Sequence, residues 1–201
     1  MSKSFVIAGV FAAGLAVFGG YALSTSAVQA QDVVDGPGPN LVIEVDGATK
    51  GTIVIDLLPE VAPKHVAQIV ALAKAGEYDD VVFHRVIDGF MAQTGDVENG
   101  NSGKEFNLGR AGTGGSDMPD VPAEFSKLPH DRGTIGAARS SSPNSANSQF
   151  FINFKDNHFL NGQYTVYGRV ISGMEFVDKI TRGEPAPKHD MMISVKVAAD
   201  V

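Results

Sequence analysis

The sequence predicts a mostly β fold, a closed antiparallel barrel with two α-helices over its ends. Three observations lead there. Short segments alternate apolar with polar residues and are separated by turn-forming residues, which is the strand signal. Two other stretches carry apolar residues at helical spacing. No segment repeats another, and the 23 glycines imply many turns.

The elements follow in chain order. Leu41, Ile43 and Val45 alternate with Val42, Glu44 and Asp46, and Ile53, Ile55 and Leu57 alternate with Thr52, Val54 and Asp56. Residues 47–51 lie between them, so the two strands form a hairpin with one buried face. Pro63 suits the first turn of a helix. Val66, Ile69, Val70 and Ala73 follow on one helical face, and Gly76 fits the residue just past the end. Residues 97–125, rich in Gly, Asn, Ser, Asp and Pro, read as a long loop. Gly103-Lys104 lacks the following Ser or Thr of a phosphate loop, and Gly112-Thr113-Gly114-Gly115 fails the dinucleotide pattern, so both read as flexible turns. Residues 133–139, 149–154 and 164–171 read as strands. Ser172-x-x-Glu175 reads as a capping box opening a second helix, with Val177 and Ile180 on its apolar face and Gly183 as its stop. Ile193, Val195 and Val197 alternate as the last strand.

Three regions are expected: a targeting segment over 1–30, a linker over 31–40 with Gly36-Pro37-Gly38-Pro39, and a folded domain over 41–201. Lys3 is the only charge before Asp32, Phe5 to Leu23 is uninterrupted by charge, and Val28-Gln29-Ala30 has the small-x-small form of a cleavage site. An export signal cut after Ala30 is the simplest reading and places the domain in the periplasm. The alternative is an uncleaved anchor over 5–23, close to the ~20 residues a spanning helix needs, with the domain still outside the cytoplasm.

The stretch with the most chemistry is Phe83-His84-Arg85-Val86-Ile87-Asp88-Gly89-Phe90-Met91-Ala92-Gln93-Thr94-Gly95-Asp96. Two apolar runs flank Asp-Gly, a strong hairpin signal. A two-residue loop at Asp88-Gly89 would set Arg85 opposite Ala92. A three-residue loop, Ile87 to Gly89, would set Arg85 opposite Met91 and put Arg85, Met91 and Gln93 on one face. A cation, a pliable apolar side chain and an amide together suit a binding groove better than a core. On these residues alone, an ordinary surface arginine fits equally well.

Several classes are excluded or disfavoured. A net charge of −7 without a basic run argues against nucleic acid as a partner. The absence of cysteine excludes disulfides and thiolate chemistry. His65, His84, His130, His158 and His189 share no ligand spacing, so no metal is expected. His84 is expected to point away from Arg85 as a hydrogen-bonded structural residue. Ser140 to Ser142 lacks the context of a hydrolase nucleophile.

The central stretch resembles the motif F-H-R-V-I-x-G-F-M-x-Q-x-G-D of the cyclophilin family of peptidyl-prolyl cis/trans isomerases. Ser148-Gln149-Phe150-Phe151-Ile152 and Phe159-Leu160-Asn161-Gly162-Gln163-Tyr164-Thr165-Val166-Tyr167-Gly168-Arg169-Val170 resemble two further blocks, in the family's order and spacing. The resemblance runs from about Leu41 to the C-terminus and implies an eight-stranded closed barrel capped by two helices. It implies that Arg85 is the catalytic donor. Phe90, Met91, Phe151 and Leu160 would grip the proline ring, and Gln93 would hydrogen-bond the substrate backbone. Ala138 and Arg139 would offer main-chain groups, and Gln149 would line the groove. Phe159 and Tyr164 stand at the rim, where well-known eukaryotic members have Trp and His. Residues 137–139 carry one extra residue before Pro143, as in many bacterial members. No cofactor is implied. The implied partners are proline-containing polypeptides, with weakened binding of cyclosporin, the family's inhibitor, for want of the indole N–H. A monomer is expected. Phe150 should face the core, because it alternates with Phe151. Two rival readings share the fold: a module that binds proline segments without turnover, and a chaperone whose groove holds unfolded chains.

Overall fold

The computed structural model describes residues 34–104, 106–186 and 188–198, so the expected targeting segment lies outside the described residues. Over these residues the fold is mostly β: nine strands and two helices, with one 3₁₀ turn. The strands are β1 (Asn40–Asp46), β2 (Gly51–Leu57), β3 (Val81–Val82), β4 (Arg85–Ile87), β5 (Met91–Thr94), β6 (Thr134–Ala137), β7 (Phe150–Asn153), β8 (Val166–Ser172) and β9 (Met191–Ala198). They form one antiparallel sheet in the order β3-β9-β1-β2-β8-β6-β7-β5-β4. The expected eight strands become nine, because the sheet's edges are the two very short strands β3 and β4, separated only by Phe83 and His84. Among the described residues no ladder joins these edges, and the sheet is a curled half-barrel rather than the closed barrel expected.

The hairpin of β1 and β2 pairs Leu41 with Ile55 and Ile43 with Ile53, as their alternation requires. The chain before it is held along β2: the Leu57 N–H donates to the Pro39 carbonyl (3.2 Å) and the Arg169 guanidinium to the Val34 carbonyl (2.6 Å). In β9 the simple alternation fails. The register with β1 jumps from Glu44↔Ser194 to Val45↔Met192, so Ile193 is an extra residue. Such a bulge turns the strand over. Met192 and Val195 are therefore buried, and Ile193 is exposed.

Helix α1 (Pro63–Lys74) starts at the proline, whose missing N–H costs nothing there. Gly76 follows its end with φ +73°. Its buried face carries His65, Val66, Gln68, Ile69, Leu72 and Ala73. Helix α2 (Met174–Val177) is shorter than expected. Ser172 belongs to β8 and caps nothing; the N-cap is Gly173, at φ 86° and ψ 17°. The chain then continues in tight turns, in which the Lys179 N–H donates to Phe176 and the Ile180 N–H to Val177. Ile180 is still buried, but from a turn and not a helix.

Two apolar clusters lie back to back on the sheet. The large one includes Ile43, Ile55, Phe83, Ala92, Ile135, Phe150, Ile152 and Val195 under α1 and α2. The small one is Met91, Ala138, Phe151 and Leu160, with Ile87, Phe90 and Tyr164 packed on it. Consecutive residues of one strand point to opposite faces, so Phe150 enters the core and Phe151 the smaller cluster.

Candidate active site

The β4–β5 hairpin resolves the register by a step neither loop anticipated. Arg85 pairs with Gln93, Val86 with Ala92 and Ile87 with Met91. The loop is Asp88-Gly89-Phe90, with Gly89 at φ 63° and the Phe90 N–H donating to the Ile87 carbonyl (3.0 Å). Parity is unchanged, so Arg85, Met91 and Gln93 share a face as the second register proposed. The loop is pinned from outside: the Phe90 carbonyl accepts from the Phe154 N–H (2.9 Å) and the Asn157 amide (3.0 Å). Phe90 is thereby held in the site.

On the next strand Phe151 stands opposite Gln93, and Gly136 of β6 stands opposite Phe151. The Phe151 ring lies over Gly136, where a Cβ would sit 2.2 Å from its tip. Only glycine leaves that space. His130 stacks on the ring (centroids 6.1 Å, planes 17° apart), and Tyr164 meets it edge-on (5.9 Å, 81°). His130 is fully buried, and burial pushes its imidazole below the usual histidine range. It is a site-supporting residue that the sequence reading passed over, because a lone histidine carries no motif.

These residues line a groove of about 270 Å³: Arg85, Phe90, Met91, Gln93, Ala138, Arg139, Phe151, Phe159, Leu160 and Tyr164. The floor is apolar and buried, and the rim carries the polar groups. Phe159, on the 3₁₀ turn His158–Leu160, is 64% exposed and leans toward Phe90 at 5.6 Å between ring centroids. Arg139 lies over Tyr164, its guanidinium carbon 4.4 Å from the ring centroid, and donates to the carbonyls of Ser140, Ser141 and Gln163. Its side chain thus braces the rim. The Ala138 N–H already donates to the Gln149 carbonyl (3.0 Å), which leaves that residue's carbonyl as the group it can offer.

Gln149 stands beside the groove, behind Gln93. It lines a neighbouring cavity of about 480 Å³ with Gln93, Ala138 and Arg139. Its amide nitrogen donates to the carbonyls of Gly112 (3.1 Å) and Gly114 (2.8 Å), and its oxygen accepts from the Gln93 amide (2.9 Å). Gln149 is held by the 112–114 turn and in turn holds Gln93. With the Gln93 nitrogen donating to Gln149, its oxygen is the acceptor the side chain has to offer.

The 112–115 turn is tied, not flexible as expected. Buried Asp96 accepts from the N–H groups of Glu98, Asn99, Gly112 and Gly114. Asp96 ends the central motif, and its role depends on a loop more than ten residues away, which sequence alone does not display. His84 is buried against the Gly112 backbone, and burial pushes it below the usual histidine range. Neither ring nitrogen meets a partner in full hydrogen-bond geometry among the described residues, while Asp96, the Gln149 side chain and the Val82 backbone lie near enough to oppose the effect of burial.

A curled antiparallel sheet bearing an open apolar groove, with a cation and an amide on its rim, has a form suited to an extended chain carrying an apolar ring. Residues 41–198 match the family described as cyclophilin type peptidyl-prolyl cis-trans isomerase/CLD. A probable peptidyl-prolyl cis-trans isomerase of Brucella suis is 53% identical over 184 residues, covering 89% of this chain and 92% of its relative. A peptidyl-prolyl cis-trans isomerase of Acinetobacter baylyi is 40% identical over 135 residues, covering 65% of this chain and 66% of that one. The crystal structure of cyclophilin AquaCyp293 from Hirschia baltica superposes with a TM-score of 0.69 at 28% identity, covering 83% of this chain and 76% of that one. The chain belongs to the cyclophilin-type peptidyl-prolyl cis-trans isomerases.

Proposed function

We propose that the protein speeds rotation about X-Pro bonds in exported polypeptides and so assists their folding, with Arg85 stabilising the twisted amide. A peptide bond resists rotation because resonance gives its C–N bond double-bond character, with a barrier of about 18–20 kcal/mol. No covalent intermediate is needed. At the twisted geometry the nitrogen loses conjugation and regains a lone pair. A donor fixed at that nitrogen binds the twisted amide better than either planar form, which is the condition for catalysis. A ~10⁵-fold gain needs about 7 kcal/mol. A charge-assisted hydrogen bond contributes a few of those, and holding the peptide in place supplies the remainder.

One observation carries this reading: Arg85 and Gln93 are cross-strand partners on the rim of a groove whose floor is Met91, Phe151 and Leu160. Proline in the floor would bring its peptide nitrogen beneath the guanidinium, while the Gln93 oxygen accepts a substrate N–H. Isomerisation of a short X-Pro peptide tests it. The parent should accelerate exchange, and Arg85→Ala should lose roughly 10²- to 10³-fold while still binding peptide. A parent that binds peptide without accelerating exchange would favour the binding-module reading. An Arg85→Ala protein at full rate would remove the arginine from the mechanism.

The apolar run Phe5–Leu23 and the Val28-Gln29-Ala30 site support export to the periplasm. N-terminal sequencing of the protein recovered from fractionated cells distinguishes the arrangements. A chain starting at Gln31 in the soluble periplasmic fraction supports cleavage, and an intact chain in the membrane fraction supports anchoring.

A further inference from the structure

The residues after α2 grip the catalytic hairpin from outside the groove. The side chain of Arg182 donates to Asp88 (3.1 Å), Gly183 exchanges both backbone hydrogen bonds with Val86 (2.8 Å each), and Glu184 accepts from Arg85 Nε (2.8 Å). These are consecutive residues laid antiparallel along β4, with Val86 and Gly183 forming an isolated bridge. Arg182 is further held by its own stacking over Phe154, 4.1 Å from the ring centroid. Gly183 has φ +151°, and a Cβ there would meet the Ala186 backbone at 2.6 Å, so the strap needs glycine at its centre. Its upstream end is anchored by fully buried Asp190, which accepts from the Thr181 N–H (2.8 Å) and the Thr49 N–H (2.9 Å).

We infer that Glu184 is a positioning residue for the isomerase reaction: it holds the Arg85 guanidinium by Nε from behind, so that the terminal nitrogens point into the proline groove. Arg85 lines two cavities. One is the apolar groove, from which Glu184 is absent; the other is a cavity of about 290 Å³ lined by Glu184, Pro185, His84, Gln93 and the 108–113 turn. The carboxylate thus reaches the guanidinium without entering the apolar groove. It occupies a single donor of the fork. Among the described residues, neither terminal nitrogen of Arg85 has a hydrogen-bond partner, so both are left for the peptide. Arg85 is 41% and Glu184 48% exposed, a setting in which an ion pair adds little to stability. Its consequence is the aim of a long, otherwise free side chain, where a small displacement lowers the rate.

This inference rests on Arg85 being the donor proposed above, and a double-mutant cycle on the full-length protein separates the two. Exchange of a short X-Pro peptide is measured for the parent, Glu184→Ala, Glu184→Gln, Arg85→Ala and the Arg85→Ala/Glu184→Ala double variant. Glu184→Ala should lower kcat about five-fold, equivalent to about 1 kcal/mol, with KM within about two-fold of the parent. Glu184→Gln, which keeps the acceptor, should recover most of that loss. In the Arg85→Ala background the second change should have no effect. An equal five-fold loss in both backgrounds would mean that Glu184 supports the fold rather than the arginine, and would overturn the inference. So would a full rate for Glu184→Ala beside a crippled Arg85→Ala. A full rate for Arg85→Ala would instead overturn the mechanism on which the inference rests.

Discussion

The tightest constraint on the groove is the contact between Phe151 and Gly136, and Gly136→Ala tests it. The added Cβ would lie 2.2 Å from the ring tip and 2.6 and 2.8 Å from the flanking carbons. Ordinary carbon contacts are about 3.5–4.0 Å, so the ring must move by more than about 1 Å. His130 stacked on one face and Tyr164 at the edge close off much of the room for retreat. The ring is therefore driven toward the groove, into the space of about 270 Å³ proposed for proline. Overpacking of this kind costs about 1–3 kcal/mol of stability, and a misplacement of about 1 Å in a positioned site can cost about 10²-fold in rate. Urea unfolding and X-Pro exchange read the two effects on the same preparation. The expected result is a lowered midpoint with unchanged slope, and a rate loss of about ten-fold or more. Adding Phe151→Leu should restore the midpoint relative to the sum of the single changes, because the smaller side chain relieves the clash. A Gly136→Ala protein with parental midpoint and parental rate would refute the claim that this pair shapes the site.

Further outcomes follow from buried charge and from the rim. Burial pushes His65, His84 and His130 below the usual histidine range, so the unfolded chain binds protons more readily than the folded one. Stability should therefore fall as pH drops through about 6.5, and a thermal midpoint that is unchanged or higher at pH 5.5 than at 7.5 would contradict this. Asp56 is fully buried, and burial raises its carboxyl although Arg169 donates to it (3.1 Å). A raised carboxylate contributes stability below its unfolded value of about 3.9 and loses it as pH rises through the folded one. Arg169→Met should cost roughly 2 kcal/mol at pH 7 in urea unfolding, and Asp56→Asn in the same chain should recover most of it. Phe159→Trp would set an indole N–H on the exposed rim and should tighten cyclosporin binding about five- to ten-fold by calorimetry, the worth of one neutral hydrogen bond.

What the sequence made legible was what depends on neighbours along the chain. Pro63 and Gly76 bracket α1, Leu41 to Leu57 alternate as a hairpin, and Arg85, Met91 and Gln93 share a face by parity alone. What it left hidden depends on partners far away. Asp-Gly permits several loop lengths, and the chosen register is fixed by Phe154 and Asn157 holding the Phe90 carbonyl. The bulge at Ile193 is a property of the β1–β9 pairing and leaves no mark in the alternation of β9 itself. Ser172-x-x-Glu175 fits a capping box, yet the ladder with β2 carries β8 through Ser172, so the serine has no helix to cap. Gly183 fits a helix stop, but its work is to let the strap lie against β4.

The groove residues took their identity from a resemblance, and their geometry explains why so few positions suffice. Along β7, Phe150 and Ile152 belong to the core while Phe151 belongs to the groove, so one strand fixes both. Part of the groove's floor, Met91 and Phe151, is thus the back of the core's own wall, and the turns carrying Phe90, Leu160 and Tyr164 complete it. Gln149 and Asp96 extend the same logic to polar groups. Neither lines the apolar groove, yet the first holds Gln93 and the second holds the turn that holds Gln149. Asp96 and Gln149 both bond the turn through its backbone groups, which side-chain substitution at the turn itself does not remove, and the last step joins the Gln149 and Gln93 side chains. The aim of the groove's rim is therefore set by residues outside the groove, and Glu184 does for Arg85 from the strap what Gln149 does for Gln93 from the end of β7.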